Sequence, residues 1–309
     1  MASRIKRTRE VFDRGKDLKL SNDFYRTYII ELFNFLLKYD RYDSDSSLLP
    51  ESIYAKTSTA LIISKDEGVT SCIEEVTFFA RSKGLEVKPV KGEGDFFQKG
   101  EVLLEIAGEA RKILSTERVI LNILQRTCAI STATRRLVEK IADLGCQIAA
   151  TRKTLLGLIE KKAVSSAGGL THRLNLEEAA MIKDNHLKLL GDSLGEAIEK
   201  ILHKKPKLSF LEIEVKNKEE FRRVIELTDR VRPEIPIVIM FDHFKPEDIS
   251  NIVDDLKRSP DLYELVFLEA SGNITEKNII EYAQSGVDVV SVGCITHSVK
   301  AKDFTLLIN

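Results

Sequence analysis

The chain has 309 residues, 43% of them hydrophobic and 31% charged, a composition that predicts a soluble globular protein long enough for two domains. Its formal net charge of −1 gives no sign of nucleic-acid or membrane binding, so any attraction for an anionic ligand is expected to come from locally placed Arg and Lys. The four cysteines lack the spacing of a metal or redox motif and are expected to be reduced thiols.

The N-terminal segment, residues 1–19, is basic but is not followed by an apolar run, so it lacks the pattern of a secretory signal. No stretch approaches the ~18–20 consecutive apolar residues of a membrane span. We therefore expect a cytoplasmic protein that does not enter a membrane.

The first third of the chain mixes helical and extended patterns. Apolar residues at helical spacing predict a helix over residues 20–40, capped by Asn22 or Asp23. Alternating and β-branched residues predict a strand over 52–64, and a second helix is expected over 71–83. Short strands separated by Gly-rich turns follow, and residues 1–114 are therefore predicted to form an α+β domain.

The middle and last parts show a different pattern. Residues 115–143 predict one long helix or two in tandem, with Ser115 or Thr116 as the N-cap. Short apolar runs then alternate with amphipathic stretches, which is typical of a parallel sheet covered on both faces. Six or seven such units favour an α/β fold with a β/α-barrel over residues 115–298, although a doubly wound sheet stays open as an alternative.

Polar side chains follow each predicted strand, and in a β/α-barrel the C-terminal ends of the strands meet at one rim. Cations gather in one sector of that rim, and two acids follow the strands opposite. A cationic pocket beside two carboxylates suits a polyanionic ligand that brings a divalent metal. The cations are Arg152, Lys153, Arg173 and Lys183, and the acids are Glu214 and Asp242.

The acids have a competing structural reading. Glu212 and Glu214 are two residues apart on one strand and so face the same side. Glu214, nearer the strand end, is the better Mg²⁺ candidate, with Asp242 as its partner. The alternative is a salt bridge from Glu212 or Glu214 to a Lys of the rim.

Two glycine-bearing strand ends are candidate phosphate sites, because backbone N–H groups freed of side-chain bulk bind anions. These are Ser271-Gly272 and Gly293. Most such segments are only turns, but two on adjacent barrel strands match the phosphate site often found there. His172 and His297 lie near these ends, and each could equally be a structural histidine.

Taken in order, the segments ERVILNILQR (117–126), TRKT (151–154), GGLTHR (168–173), IKDNH (182–186), LEIEV (211–215), FDH (241–243), EASGNIT (269–275) and VSVGCITHS (290–298) are similar to those of the quinolinate phosphoribosyltransferase family. The resemblance implies an N-terminal α/β sandwich before a seven-stranded barrel, with the tail 299–309 packed on the first domain. It implies a homodimer with shared active sites, possible higher oligomers, and the substrates quinolinate and phosphoribosyl pyrophosphate with Mg²⁺.

The resemblance also assigns roles to residues. It implies that Arg152, His172, Arg173 and Lys183 hold the quinolinate carboxylates and that Arg118 reaches in from the partner subunit. It implies that Lys153 contacts the phosphoribosyl donor and that Glu214 and Asp242 bind its metal. The 5′-phosphate would lie on Ser271, Gly272, Gly293 and His297.

Several positions depart from the family pattern. They are Ser165–Ala167, Thr127–Ile130, His243 where Asn is usual, and Asn273 where Gly is usual. The alternatives are therefore a phosphoribosyltransferase of this fold acting on another anionic heterocycle, a Schiff-base lyase using Lys153 or Lys183, and a binding barrel without turnover. The Schiff-base reading requires a desolvated Lys.

Overall fold

The computed structural model describes residues 2–42, 50–204 and 208–309. The helices are α1 Ala2–Phe12, α2 Asp23–Asp40, α3 Glu51–Tyr54, α4 Ile73–Ser82, α5 Ala110–Lys140, α6 Leu158–Ser166, α7 Asp184–Leu190, α8 Leu194–Lys204, α9 Lys218–Val231, α10 Pro246–Lys257, α11 Pro260–Leu265, α12 Ile279–Gln284 and α13 Cys294–His297. The strands are β1 Thr57–Ser64, β2 Gly68–Val69, β3 Glu86–Pro89, β4 Phe96–Phe97, β5 Val102–Glu109, β6 Gln147–Ala150, β7 Ala180–Ile182, β8 Leu211–Val215, β9 Ile237–Asp242, β10 Val266–Ser271, β11 Val289–Val292 and β12 Phe304–Ile308.

The chain divides into two compact units. The limits of these units differ from the predicted domain boundary between residues 114 and 115. The barrel unit comprises Met1–Arg14, Leu137–Lys153 and Gly169–Cys294. The sheet unit comprises Gly15–Arg136, Thr154–Gly168 and Ile295–Asn309. The first residues of the chain thus belong with the barrel strands.

The barrel unit holds six parallel strands in the order β6-β11-β10-β9-β8-β7. A parallel bridge between Ala149 and Leu170 adds a further position beside β6. The predicted α/β class is confirmed, but the seventh strand of the prediction is represented only by this bridge. Among the described residues no strand pairing joins Leu170 to β7, and we call this opening the seam.

Helix α1 covers the N-terminal ends of the barrel strands. Phe12 is fully buried and lies 5.4 Å, centroid to centroid, from Phe210 and 6.3 Å from Phe267. The Arg4 guanidinium lies 2.5 Å from the Asp288 carboxylate at the start of β11. The apolar core of the barrel therefore includes side chains from both ends of the sequence.

The sheet unit contains an antiparallel sheet in the order β12-β1-β5-β3 and a two-stranded pair, β2-β4. The Asn22 side chain accepts a hydrogen bond from the Tyr25 N–H at 3.2 Å, which confirms the predicted cap of α2. The predicted cap of the long helix is wrong, because β5 runs straight into α5 at Ala110. Thr116 instead lies within the helix, and its hydroxyl donates to the Lys112 carbonyl at 2.7 Å.

Candidate active site

The strand register fixes which side chains point into the barrel. Glu212 is level with Val238, and Val238 with Phe267, and the last two belong to the buried core of the barrel. Since side chains alternate along a strand, residues two further along each strand point inward as well. On β8, β9 and β10 the inward-facing acids and hydroxyls are Glu212, Glu214, Asp242, Glu269 and Ser271.

A buried group formed by His172, Glu212 and Glu269, here called the barrel cluster, lies inside the barrel. His172 Nε2 lies 3.0 Å from Glu269 Oε2 and 3.2 Å from Glu212 Oε2. All three side chains are at most 7% exposed. Glu212 thus has His172 as its charged neighbour at this distance, rather than the rim Lys considered from the sequence.

His172 and Glu212 of the barrel cluster have shifted pKa values. Burial lowers the pKa of His172, but Glu269 and Glu212 outweigh it and raise that pKa to about 9. Burial and Glu269 raise the pKa of Glu212. The Arg173 N–H, however, points at His172 Nδ1 from 2.8 Å, which requires an unprotonated Nδ1. With Nδ1 as the acceptor, the imidazole in this arrangement directs Nε2–H at the two acids.

The cationic sector forms at neighbouring strand positions. Arg152 and Lys153 follow β6, Arg173 follows the bridged Leu170, and Lys183 follows β7. Burial lowers the pKa of Arg173, and the positive charge of Arg152 lowers it further, so the two guanidinium groups lie within electrostatic reach. Arg173 is buried, whereas Arg152, Lys153 and Lys183 are exposed.

Arg173 spans the seam. Its guanidinium donates to the Ala179 carbonyl at 3.1 Å and contacts Met181 Sδ at 3.3 Å. Ala179 directly precedes β7, and Met181 lies within it. A side chain with a predicted ligand role thus also connects the two sides of the opening.

The two predicted metal ligands lie at the C-terminal ends of β8 and β9, which are adjacent strands. Glu214 is 7% exposed, and the Asp242 carboxylate lies 2.8 Å from His243 Nδ1. Two inward-facing carboxylates on adjacent strands offer the hard oxygen donors that Mg²⁺ prefers. This donor set fits the implied metal.

The backbone after strands β9 and β10 explains two departures from the family pattern. His243 and Asn273 have φ values of 59° and 52°, in the left-handed region that Asn, His and Gly adopt more readily than other residues. A Cβ on Gly272, whose φ is 100°, would lie 2.7 Å from the His243 ring. Gly272 is therefore required both by its backbone angle and by the ring beside it.

Two predicted site residues belong to the sheet unit. The Arg118 side chain is 59% exposed on α5, with a guanidinium nitrogen 3.6 Å from Glu117. His297 ends α13, with Nδ1 2.6 Å from the Ser298 hydroxyl. Gly293 belongs to the barrel unit, directly after β11.

A second buried group, here called the sheet cluster, consists of Tyr25, Glu75, Glu93 and Lys162. Glu75 Oε1 accepts from the Tyr25 hydroxyl at 3.0 Å and lies 3.9 Å from Lys162 Nζ. Glu93 accepts backbone and hydroxyl hydrogen bonds around the start of α4, from Cys72 N at 2.8 Å, Ile73 N at 3.0 Å and Ser166 Oγ at 2.6 Å. Because Glu93 is saturated and a lysine is already adjacent, these acids suit a structural role better than metal binding.

Sequence reasoning missed the role of Glu269 and the whole sheet cluster. Glu269 carried a usable signal, since it lies two residues before Ser271 and must share its face of the strand. Glu75 carried none, because its burial depends on packing between segments distant in sequence. Among the described residues, no helix is both long enough and apolar enough to cross a membrane.

Comparison with known families identifies both parts of the chain. The family model described as quinolinate phosphoribosyl transferase, N-terminal domain, matches residues 45–128. The corresponding C-terminal domain model matches residues 130–307.

Individual relatives agree. A probable nicotinate-nucleotide pyrophosphorylase (carboxylating) of Methanocaldococcus jannaschii is 35% identical over 91% of this chain and 97% of its own. A protein of the same name from Bacillus subtilis is 35% identical over 84% of this chain and 86% of its own. The structure of the nicotinate-nucleotide pyrophosphorylase of Francisella tularensis superposes with a TM-score of 0.77 at 28% identity, covering 92% of this chain and 96% of that one.

Proposed function

Because this chain belongs to the quinolinate phosphoribosyltransferase family, we propose that it transfers a phosphoribosyl group from phosphoribosyl pyrophosphate to quinolinate. The products are nicotinate mononucleotide, pyrophosphate and carbon dioxide, a step of NAD synthesis. The observation that carries the proposal is the ordered rim of the barrel, in which three cation-bearing strand ends precede two acid-bearing ones.

The cationic sector would hold the two carboxylates of quinolinate. Arg152, Arg173 and Lys183 supply the charge, the resemblance adds Arg118 from a second subunit, and His172 lies directly before Arg173. Arg binds carboxylates through two parallel N–H donors, which fixes the orientation of the ring as well as its position. The pyridine nitrogen is thereby held against the anomeric carbon of the donor, which lowers the entropic part of the barrier.

The acidic strand ends would hold the donor. Glu214 and Asp242 would hold Mg²⁺, and that ion, when bound, would neutralise charge on the pyrophosphate. Lys153 contacts the donor, and Ser271, Gly272, Gly293 and His297 receive the 5′-phosphate. As pyrophosphate departs, Glu214 and Asp242 face the positive charge that develops on the ribose. After transfer the ring nitrogen is cationic, so the C–C bond to the adjacent carboxylate can break and carbon dioxide leaves. The electron pair stays on the ring carbon beside the cationic nitrogen, and that carbon then takes a proton from water.

The proposal includes a cytoplasmic homodimer with shared active sites, and assembly of these dimers into a higher oligomer stays open as an alternative. A phosphoribosyltransferase acting on another anionic heterocycle is the nearest alternative, because it uses the same rim. The Schiff-base alternative requires a desolvated amine, and both Lys153 and Lys183 are exposed.

The test is direct. The purified protein is incubated with phosphoribosyl pyrophosphate, Mg²⁺ and either quinolinate, nicotinate or another ring acid, and pyrophosphate release is measured. We expect release with quinolinate and matching formation of carbon dioxide. Release with a different ring acid alone would favour the alternative substrate, and a borohydride-trapped adduct with a keto acid would favour the lyase.

A further inference from the structure

The His172 ring is held from every side. Its backbone φ is 54°, a left-handed value that is uncommon outside Gly, Asn, Asp and His. Phe12 and Phe210 lie edge-on to the ring, at centroid distances of 5.4 and 5.3 Å. Such packing leaves the imidazole a single orientation.

Both ring nitrogens of His172 are already engaged. Nδ1 accepts the Arg173 N–H at 2.8 Å, and Nε2 lies 3.0 Å from Glu269 Oε2 as its donor. A ligand carboxylate needs a hydrogen-bond donor, and the Nε2–H of this imidazole is directed at the buried acids. In this arrangement no ring N–H points to the rim.

We propose that His172 and Glu269 are positioning residues, which act on the substrate through Arg173 rather than by touching it. Glu269 fixes the imidazole, the imidazole fixes the Arg173 backbone, and the Arg173 guanidinium is thereby set across the seam. This inference rests on the proposed function, because it assigns the way in which that function's clamp is oriented.

The geometry of Arg173 makes the arrangement consequential. Its guanidinium donates to the Ala179 carbonyl at 3.1 Å, so a rotation at its backbone would move the head group away from both the seam and the rim. A displacement of about an ångström at a binding group is enough to weaken substrate positioning strongly. We therefore expect the barrel cluster to control quinolinate affinity without contacting quinolinate.

Two substitutions at position 172 separate positioning from direct contact. His172→Asn keeps an acceptor near the place of Nδ1 and a residue type that tolerates the left-handed backbone. His172→Gln keeps an amide donor near the place of Nε2 but offers no acceptor to the Arg173 N–H. Positioning predicts that His172→Gln raises the KM for quinolinate more than His172→Asn does, whereas direct contact through Nε2 predicts the reverse order.

Glu269→Gln provides the second arm. It weakens the bond that orients the imidazole, so we expect the KM for quinolinate to rise roughly tenfold, with the KM for phosphoribosyl pyrophosphate within about twofold of wild type. The double variant Glu269→Gln with His172→Gln should lose no more than His172→Gln alone, since both act in one chain of contacts.

Glu75→Gln is the matched control, because Glu75 and Glu269 are both almost completely buried and Glu75 belongs to the sheet unit. Its KM for quinolinate should not move. The proposal is overturned if His172→Gln binds better than His172→Asn, if the double variant is additive, or if affinity falls only in step with Tm. A wild-type protein that releases no pyrophosphate from quinolinate would instead refute the proposed function.

Discussion

The barrel cluster and the sheet cluster bury acidic side chains in different ways. In the sheet cluster, the half-buried Glu93 has its oxygens filled by backbone N–H and Ser hydroxyl donors. The buried Glu75 accepts from the Tyr25 hydroxyl and lies 3.9 Å from Lys162 Nζ, and its Oε2 has no hydrogen-bond partner among the described residues. In the barrel cluster, Glu212 Oε2 lies 3.2 Å from His172 Nε2, but neither Glu212 oxygen has a hydrogen-bond partner among the described residues. The His172 ring between the acids accepts the N–H of the rim residue Arg173. The difference teaches that a buried acid matched by a neighbouring lysine and tyrosine serves stability, whereas a buried acid whose neighbour is joined to a rim of cations points to function.

The largest expected effect is at Glu214, on the functional side of the comparison. Glu214→Gln removes one carboxylate from the predicted metal pair, so pyrophosphate release should fall by roughly 10³-fold. The Tm should not fall with it. Activity close to wild type at saturating Mg²⁺ would remove Glu214 from the donor site.

Arg152 and Lys183 give the next largest effect. Arg152→Ala or Lys183→Ala removes a charge-assisted contact to a carboxylate, and the KM for quinolinate should rise by about 10²-fold. Both side chains are exposed, so the free energy of unfolding should stay nearly constant. Normal quinolinate affinity in either variant would show that the cationic sector is not the clamp.

Glu75 tests the structural side through its pH dependence. Burial, and then the charge of Glu93, raise the pKa of Glu75 to about 7, above its ordinary value of 4.5. The native state therefore binds more protons than the unfolded chain between these values, and stability falls as pH rises from about 4.5 to about 7.

Glu75→Gln removes this titration. The free energy of unfolding of the wild type should drop relative to the variant by up to about 3 kcal/mol across that pH window. Denaturant titrations at pH 5, 6, 7 and 8 measure it. A constant difference between the two proteins at every pH would mean that Glu75 is ionised throughout.

The smallest expected effect comes from mixing subunits of two variants. This experiment tests whether a residue of the sheet unit also takes part in the reaction. Arg118→Ala and Glu214→Gln each damage a different part of a shared site, so subunit exchange should restore roughly a quarter of wild-type activity. That result would add a functional residue to the unit whose buried acids are structural. Absence of recovery, with exchange verified by native mass spectrometry, would count against shared sites.

Local patterns predicted the elements that carry strong periodicity. The helix capped by Asn22 and the alternation of strands from β6 to β11 follow from apolar spacing, and the inward side of Glu212 and Glu214 follows from a two-residue repeat. The start of α5 was not predicted from local patterns, because the strand that ends at Glu109 continues into the helix at Ala110 without a loop.

Long-range contacts explain most of what the sequence could not supply. Phe12 and His172 are 160 positions apart, and nothing in either local pattern indicates that the rings meet. The seam between Leu170 and β7 likewise depends on how many backbone hydrogen bonds form between neighbouring strands. The residue types in the sequence do not specify that number. The identities of candidate rim residues were thus readable, while the contacts that orient them were not.

Helix α1 can dock on the barrel only late in synthesis. Arg4 bonds to Asp288, so the segment that holds Arg4 finds its partner only after 284 further residues have been made. Loop closure over such a distance is slow compared with local helix formation. During translation helix α1 must remain undocked. A protein fused before helix α1, or a chaperone that holds this helix, would delay its docking onto the N-terminal ends of the strands rather than the formation of the strands.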